Sequence, residues 1–348
     1  MPLQSSGRIS LVDVQGEFGG TAPHSLKEYY DATSGVPVSG EISLFDFYGK
    51  SSFTGPVTQL LTTSISNFTP PVTGWDSATV YVIGGGGGGG GSNDNDASAA
   101  TGGTGGGTAI RHYTNIAGAN VVIGSGGGVQ PPSGGYNGDR KFGLNGGNST
   151  FSPFSGSAVV DGGGNPTSVL TGGGGLGGSA EHGSRQGATA PARAGGTGSG
   201  GSTNYNGQGV GGVPGPNSTT VGGGGGSVSL TSQLSDYTYP NQGENTSAAS
   251  HATTIVTKPD DFTNTSLTYY LNNSVSNQAT IEASIAGLSN MRGGRGSGSE
   301  RHQSPQDGSP KGAGGGAESW TSPHGYVGSR RPGEGGDGCI VIVYKSAG

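Results

Sequence analysis

Hydrophobic and polar positions divide this chain into parts of different character. In residues 1–50, aliphatic and aromatic residues come in short clusters, and "SGRISLVDV" at 6–14 returns as "SGEISLFDF" at 39–47. Residues 51–83 alternate as β-strands do, and from residue 84 to 226 short apolar segments separate blocks of glycine. Residues 227–290 contain two glycines and partial Thr, Ser and Tyr alternation, which predicts short strands and polar loops.

A serine followed three residues later by an acid occurs three times in residues 1–50. This is the capping-box pattern, in which the serine accepts from an orphan amide and the acid reaches back to the N-cap amide. The sequence therefore predicts three short helices, whose boxes pair Ser10 with Asp13, Ser25 with Glu28, and Ser43 with Asp46.

The same 50 residues are rich in aromatic side chains. A module this small has difficulty burying them all, so they are candidates for a docking surface completed by a partner. The alternative is a self-contained small core. The candidates for docking are Phe18, Tyr29, Tyr30, Phe45, Phe47 and Tyr48.

Glycine is the dominant residue, at 78 of 348, while 29% of the chain is hydrophobic and 11% charged. This is too little apolar material for an ordinary large core and too little charge for ordinary disorder. Polyproline-II-like helices of glycine can pack side by side and bond laterally through their outward amides and carbonyls. We therefore predict that residues 84–91 form an ordered rod packed against residues 172–175 and 222–226.

Two strand-like runs frame the glycine-rich part. Residues 80–83, "VYVI", lead into the glycine run, and residues 339–344, "CIVIVY", close the chain; we expect them to pair. The predicted fold is mostly β and irregular: a helical module at 1–50, then a glycine-rich domain at 51–346. In that domain, packed polyglycine-II helices are framed by strands, with the β/loop insert at 227–290.

Two stretches resemble bacteriophage tail proteins. Residues 6–51 are similar to the N-terminal segment of many tail-fibre proteins of aquatic phages. The frame from "VYVIGGGGGGGG" through "NGGNSTFSPFSGSAVVDGGG" to "GGDGCIVIVY" resembles the glycine-rich domain of phage tail adhesins. The distal-tip adhesins of T-even-like phages are similar in principle. The resemblance implies stacked polyglycine-II helices that display recognition loops, on a module that docks to the tail or baseplate. Residues 227–290 depart from it and resemble no known family.

Charge and motifs argue against other classes of function. A net charge of −6 disfavours nucleic acid and anionic membranes, and no apolar run is long enough to span a bilayer. The glycine runs lack the Gly-Lys-Ser/Thr of a phosphate loop, and the six histidines lack metal-ligand spacing. We expect no cofactor, no metal and no enzymatic activity; a depolymerase would need paired carboxylates, and only Asp260 and Asp261 are adjacent.

Recognition is the function that remains, since Tyr, Ser, Gly and Asn suit binding surfaces. We expect a virion tail fibre, made in the host cytoplasm, that binds a glycan or outer-membrane protein. Several copies, for example a trimer, would add avidity. The alternatives are a purely structural virion fibre or decoration and, less favoured, a polysaccharide depolymerase. The receptor-binding candidates, for which a local core is the rival reading, are Tyr237, Tyr239, Phe262, Tyr269, Tyr270, Trp320, His324 and Tyr326.

Overall fold

The computed structural model describes the chain in segments in which β-strands predominate and helices are few and short, as the sequence predicts. None of the helices in these segments is long and apolar enough to cross a bilayer. The described residues are 3–32, 35–50, 57–71, 74–93, 98–130, 139–160, 165–182, 188–207, 209, 213–215, 220–221, 268–271, 274–275, 297–298, 312, 314–315, 318–320 and 332–345.

The first 50 residues contain the three predicted helices. An α-helix, α1, spans Leu11–Phe18, and two 3₁₀ helices span Leu26–Tyr29 and Leu44–Phe47. Their N-cap residues are the three serines of the capping pattern, so this prediction is confirmed.

In each box the acid accepts a hydrogen bond from the amide of its own N-cap serine. The N···O distances are 2.8 Å at Ser10, 3.0 Å at Ser25 and 2.7 Å at Ser43. At Ser10 the serine hydroxyl also accepts from the amide of Asp13, at 3.3 Å. The acids therefore stabilise helices that are too short to form by propensity alone.

These helices enclose a small core of their own. Phe18 lies at its edge and meets the Tyr29 and Phe47 rings at centroid distances of 6.5 and 5.9 Å. The two inner rings pack edge to face at 6.1 Å, a favourable aromatic geometry. The fully enclosed members of the core are Leu3, Val14, Tyr29, Val36 and Phe47.

The rest of the described chain contains 22 strands. They are β1 Val57–Leu61, β2 Ile65–Phe68, β3 Ser77–Ile83, β4 Gly91–Asn93, β5 Ser98–Ala100, β6 Thr108–Asn115, β7 Ala119–Val122, β8 Asp139–Lys141, β9 Ser149–Pro153, β10 Ala158–Val159, β11 Leu170–Gly172, β12 Ala180–His182, β13 Ala188–Ala190, β14 Gly198–Ser199, β15 Thr203–Tyr205, β16 Val213–Gly215, β17 Thr220–Val221, β18 Thr268–Leu271, β19 Ser274–Val275, β20 Ser297–Gly298, β21 Glu318–Trp320 and β22 Cys339–Lys345.

Two larger sheets form a sandwich. The first has eight strands in the order β10-β6-β3-β22-β1-β18-β19, with β15 also paired to β6; the second has the order β14-β11-β9-β7-β2. Every pairing is antiparallel except that of β1 with β18. The predicted pairing of the two framing runs is confirmed: β22 lies on β3, with Cys339 opposite Ile83 and Tyr344 opposite Ala78.

The main core lies between these sheets and follows the two-residue period of the strands. Alternate residues of β3 and β22 face the second sheet, among them Val80, Val82 and Ile342. Phe151 of β9 is fully buried against the ring of Tyr113, at 6.1 Å. This sandwich holds fixed the point at which β3 enters the glycine run.

Candidate functional site

The glycine run beginning at Gly84 is hydrogen-bonded along its length, and its amides point to three different neighbours in rotation. The amides of Gly84, Gly87 and Gly90 donate to residues 101–107. Those of Gly85 and Gly88 donate to residues 144–147, and those of Gly86 and Gly89 donate to residues 333–336. The seven bonds are Gly84 N to Gly107 O (3.0 Å), Gly85 N to Gly147 O (3.0 Å), Gly86 N to Gly336 O (2.9 Å), Gly87 N to Thr104 O (2.9 Å), Gly88 N to Leu144 O (2.9 Å), Gly89 N to Gly333 O (2.8 Å) and Gly90 N to Thr101 O (2.9 Å).

The carbonyls of the run point to three further segments. They accept from Gly127, from Gly175 and Gly178, and from Gly315. The acceptors are Gly86 O at 2.7 Å, Gly85 O and Gly88 O at 2.8 Å each, and Gly87 O at 2.9 Å. The run is therefore surrounded by six segments; those it donates to run antiparallel to it.

The six segments also bond to one another and close a ring around the run. We call the run and its ring the glycine bundle; the ring consists of residues 101–107, 172–179, 143–148, 124–128, 333–338 and 312–315, in that order. One bond for each contact around the ring is Thr104 N to Leu176 O (2.9 Å), Gly146 N to Gly175 O (2.8 Å), Leu144 N to Gly128 O (2.8 Å), Gly335 N to Gly127 O (2.8 Å), Gly312 N to Asp337 O (2.8 Å) and Gly103 N to Gly315 O (2.9 Å).

Only glycine fits the centre of this bundle. A Cβ on Gly87 would lie 2.9 Å from the amide nitrogen of Gly177 and closer still to the carbonyl of Leu176. A Cβ on Gly88 would lie 2.6 Å from the carbonyl oxygen of Gly127. Real Cβ atoms essentially never come within 3.0 Å of such neighbours. The expected contact with residues 172–175 is confirmed, whereas residues 222–226 lie outside the described residues.

Small sheets cover the end of the bundle away from the sandwich. The run passes directly into β4, which pairs with β8 and β21 in a four-stranded sheet. Segment 172–179 passes into β12, which belongs to a three-stranded sheet with β5 and β17. Residues 84–90 of the run separate these sheets from the end of β3. We call this end the distal end.

The structure describes three of the eight receptor-binding candidates, and only by their backbone. Trp320 ends β21, opposite Asn93 of β4, and so lies at the distal end. Tyr269 and Tyr270 lie in β18, opposite Thr58 and Gln59 of β1, and so belong to the sandwich. These two groups are not brought together. The remaining candidates, Tyr237, Tyr239, Phe262, His324 and Tyr326, lie outside the described residues.

The docking candidates divide by burial. Tyr29 and Phe47 are 2% and 0% exposed, so for them the alternative of a self-contained core is the better reading. Phe45 is 78% exposed, and its ring lies 5.8 Å from that of the half-buried Tyr48. Phe18 and Tyr30 are also half-buried. Phe45 is therefore the candidate that offers an open apolar face.

Side chains at the border of the bundle were missed by sequence reasoning. Asn145 and Asn148 accept from the amides of Gly177 and Gly174, at 2.8 Å each. Asp337 accepts from Gly126 at 2.7 Å, and Thr104 from Leu176 at 2.7 Å. A usable signal was present, because "NGGN" and "TGGT" place acceptor side chains three residues apart, which is the period of the bundle.

The described residues contain no cluster of three or more His, Cys, Asp or Glu side chains able to hold a metal ion. Burial raises the pKa of the Tyr81 and Tyr344 phenols well above their usual range. Tyr344 donates a buried hydrogen bond to Gln59 Oε1 at 2.8 Å, as a core residue does.

Comparison with known proteins adds no family to this picture: no protein-family model matches the chain, and no curated protein matches it.

Proposed function

We propose that this protein is a bacteriophage tail fibre or tail-tip adhesin that attaches the virion to the host cell surface by binding, without bond chemistry. The observation that carries the proposal is the three-way rotation of hydrogen bonds along the glycine run. That rotation turns the most flexible residue into a rod joined to neighbours on all sides, and a rod can hold a recognition surface away from its anchor.

We interpret the glycine bundle as packed polyglycine-II helices. Two features support this interpretation: partners recur every third residue, which is the period of that helix, and the carbonyls and amides point outward to other segments. An α-helix would bond within itself, and a β-strand would bond to two neighbours instead of six.

The distal end is the proposed receptor-binding surface. Five strands that meet there, β4, β5, β8, β12 and β21, connect to stretches rich in Asn, Asp, Ser, Tyr and His. Those residue types combine rigid amphipathic area with adaptable hydrogen bonding. Trp320 is the aromatic candidate whose strand lies at this end, and its ring suits stacking on a sugar or on an apolar receptor loop.

Residues 1–50 are the proposed docking module for tail or baseplate proteins. Support comes from Phe45, whose large apolar side chain is left open although the module has a complete core of its own. The proposed location is the virion, and several copies, as in a trimer, would multiply weak contacts.

The test is binding of the fluorescently labelled full-length protein to intact cells of a panel of candidate host bacteria. We expect saturable binding to some strains, competed by unlabelled protein. A Trp320→Ala variant should bind more weakly, and a variant at the exposed Val160, Val160→Ala, should bind normally. Lack of binding to every strain that the virus infects would refute the adhesin.

The same incubation separates the rival functions. Release of reducing sugars into the medium would identify a depolymerase. Particles without this protein that attach to cells at the normal rate would identify a purely structural fibre or decoration.

A further inference from the structure

Segment 172–179 shows how the glycine bundle ends on one side. Its amides point in three directions. Gly175 and Gly178 donate inward to the central run, and Gly173 donates to Thr197 O at 2.9 Å. Leu176 and Ser179 donate to the hydroxyls of threonines three residues apart, Thr104 at 2.7 Å and Thr101 at 2.9 Å.

The third direction points out of the bundle, past residues 143–148. There Gly174 and Gly177 have no backbone acceptor among the described residues; their partners are side-chain oxygens, Asn148 Oδ1 and Asn145 Oδ1, at 2.8 Å each. Both asparagines are exposed, so their Cβ atoms stand where no neighbouring backbone is in the way. Each amide oxygen occupies the place that the carbonyl of another glycine segment would take in a larger lattice.

We propose that Asn145 and Asn148 are border residues that stop the glycine bundle from adding another segment, and that the segment they exclude is a glycine segment of a second copy of this chain. The two amides they cover are three residues apart, about 9 Å along the axis. Only an extended chain with the same three-residue period presents carbonyls at that spacing, and each copy carries such chains on its own flank.

Another border of the bundle uses the same device. The exposed Asp337 accepts through Oδ1 from the Gly126 amide at 2.7 Å. Glycine cannot supply an acceptor of this kind, because it has no side chain. The non-glycine residues inside glycine-rich stretches therefore have a specific role: they limit lateral growth, as charged or irregular edges do for β-sheets.

The first experiment measures amide hydrogen exchange by NMR on the full chain. In Asn145→Ala, we expect the Gly177 amide to exchange about tenfold faster, because its hydrogen bond is lost, while Gly175 is unchanged. In Asn148→Ala, Gly174 should respond in the same way. Asn→Asp changes at these positions keep an acceptor oxygen and should keep the protection.

The second experiment measures self-association by sedimentation velocity over a range of concentrations. The double variant Asn145→Ala/Asn148→Ala should form larger species than the wild type as concentration rises. The matched Asp double variant should sediment as the wild type does. So should Asn120→Ala, which removes an exposed acceptor (for Asn67 N, at 3.2 Å) outside the bundle.

Two results would overturn the proposal. Unchanged exchange at Gly174 and Gly177 would show that the asparagines do not cover these amides. Faster exchange in a double Ala variant that sediments like the wild type at every concentration would show that water replaces the caps and no second copy binds. If the double variant does not fold, the two single Ala variants are tested by the same two measurements. If even the single Asp variants do not fold, the asparagines have a role other than capping these amides, and the proposal is wrong.

Discussion

Replacing one inward glycine should destabilise the whole glycine bundle. In Gly87→Ala the new methyl would lie 2.9 Å from Gly177 N and closer to the Leu176 carbonyl, and in Gly87→Val the branched side chain adds two more carbons. Neither neighbour can move alone, because Thr104 N and Gly175 N hold this region by hydrogen bonds at 2.9 and 2.8 Å.

The expected loss follows from known overpacking effects. Extra carbons in a well-packed site cost about 1–3 kcal/mol, and we place Gly87→Val at the upper end because backbone, not a side chain, must yield. A loss of 1 kcal/mol shifts the melting temperature of a domain of 150–250 residues by roughly 2–4 °C. For Gly87→Val we therefore expect the midpoint in differential scanning calorimetry to fall by roughly 6–12 °C, with the midpoint of Gly87→Ala between that of Gly87→Val and that of the wild type.

Gly128→Ala is the matched control, since Gly128 belongs to the same bundle and accepts from Leu144 N at 2.8 Å. The nearest atom to its added Cβ would be Leu144 Cδ1 at 3.9 Å, an ordinary contact. Replacing a glycine by alanine without strain stabilises a protein by about 0.4–1 kcal/mol, because the unfolded chain loses conformational freedom. The two alanine variants should thus move the midpoint in opposite directions. Equal midpoints for Gly87→Ala and Gly128→Ala would refute the close-packed bundle.

Four further outcomes are expected. Deleting residues 1–50 should abolish incorporation into particles while leaving the melting midpoint of the body unchanged, since the module's core is its own; particles that still carry the truncated protein would contradict docking. Ser10→Ala should destabilise the module by about 1 kcal/mol in urea titration, because the Asp13 amide loses its side-chain acceptor, and Ser10→Gly should cost less. Hydrogen bonds from the side chain and amide of Ser10 lower the pKa of Asp13 from 3.8. The stabilisation that these bonds give the folded module is therefore complete above pH 3.8 and is lost as the pH falls through the lower pKa of the folded state. NMR of the α1 amides should show this acid transition, and Asp13→Asn should remove it. Tyr344→Phe should cost about 1 kcal/mol in the same titration by breaking a buried hydrogen bond to Gln59; unchanged stability would show that this hydrogen bond contributes nothing.

Local signals predicted local structure well. The serine-to-acid spacing placed three helix starts correctly, because a cap is decided within four residues. The two apolar runs predicted the central pairing of β3 with β22, because continuous β-branched residues mark strands buried on both faces. Burial within the first module was not predictable, since aromatic content alone does not say which ring turns inward: Phe47 is enclosed, and Phe45, two residues earlier, is open.

The arrangement of the glycine segments could not be predicted from the sequence. Gly86 bonds to residues 127 and 336, far apart in the chain, and nothing in a run of identical residues selects these partners. What distinguishes the segments lies at their borders, where Asn145, Asn148, Thr104 and Asp337 stand in phase with the three-residue period. The few residues that are not glycine are therefore the ones that make these segments different from one another.

For the proposed adhesin, this division of roles bears on how one body could serve changing receptors. The inward glycines tolerate no substitution, since any Cβ meets backbone, while the strands of the distal end leave the bundle and no longer obey its period. Sequence there can vary without disturbing the hydrogen bonds of the central run. A change in length inside the bundle is different, because one added residue rotates every later amide to the wrong neighbour. Insertions of three residues keep the directions, and insertions of one or two do not. Under the proposed adhesin function, variation in receptor specificity would therefore be confined to the distal connections.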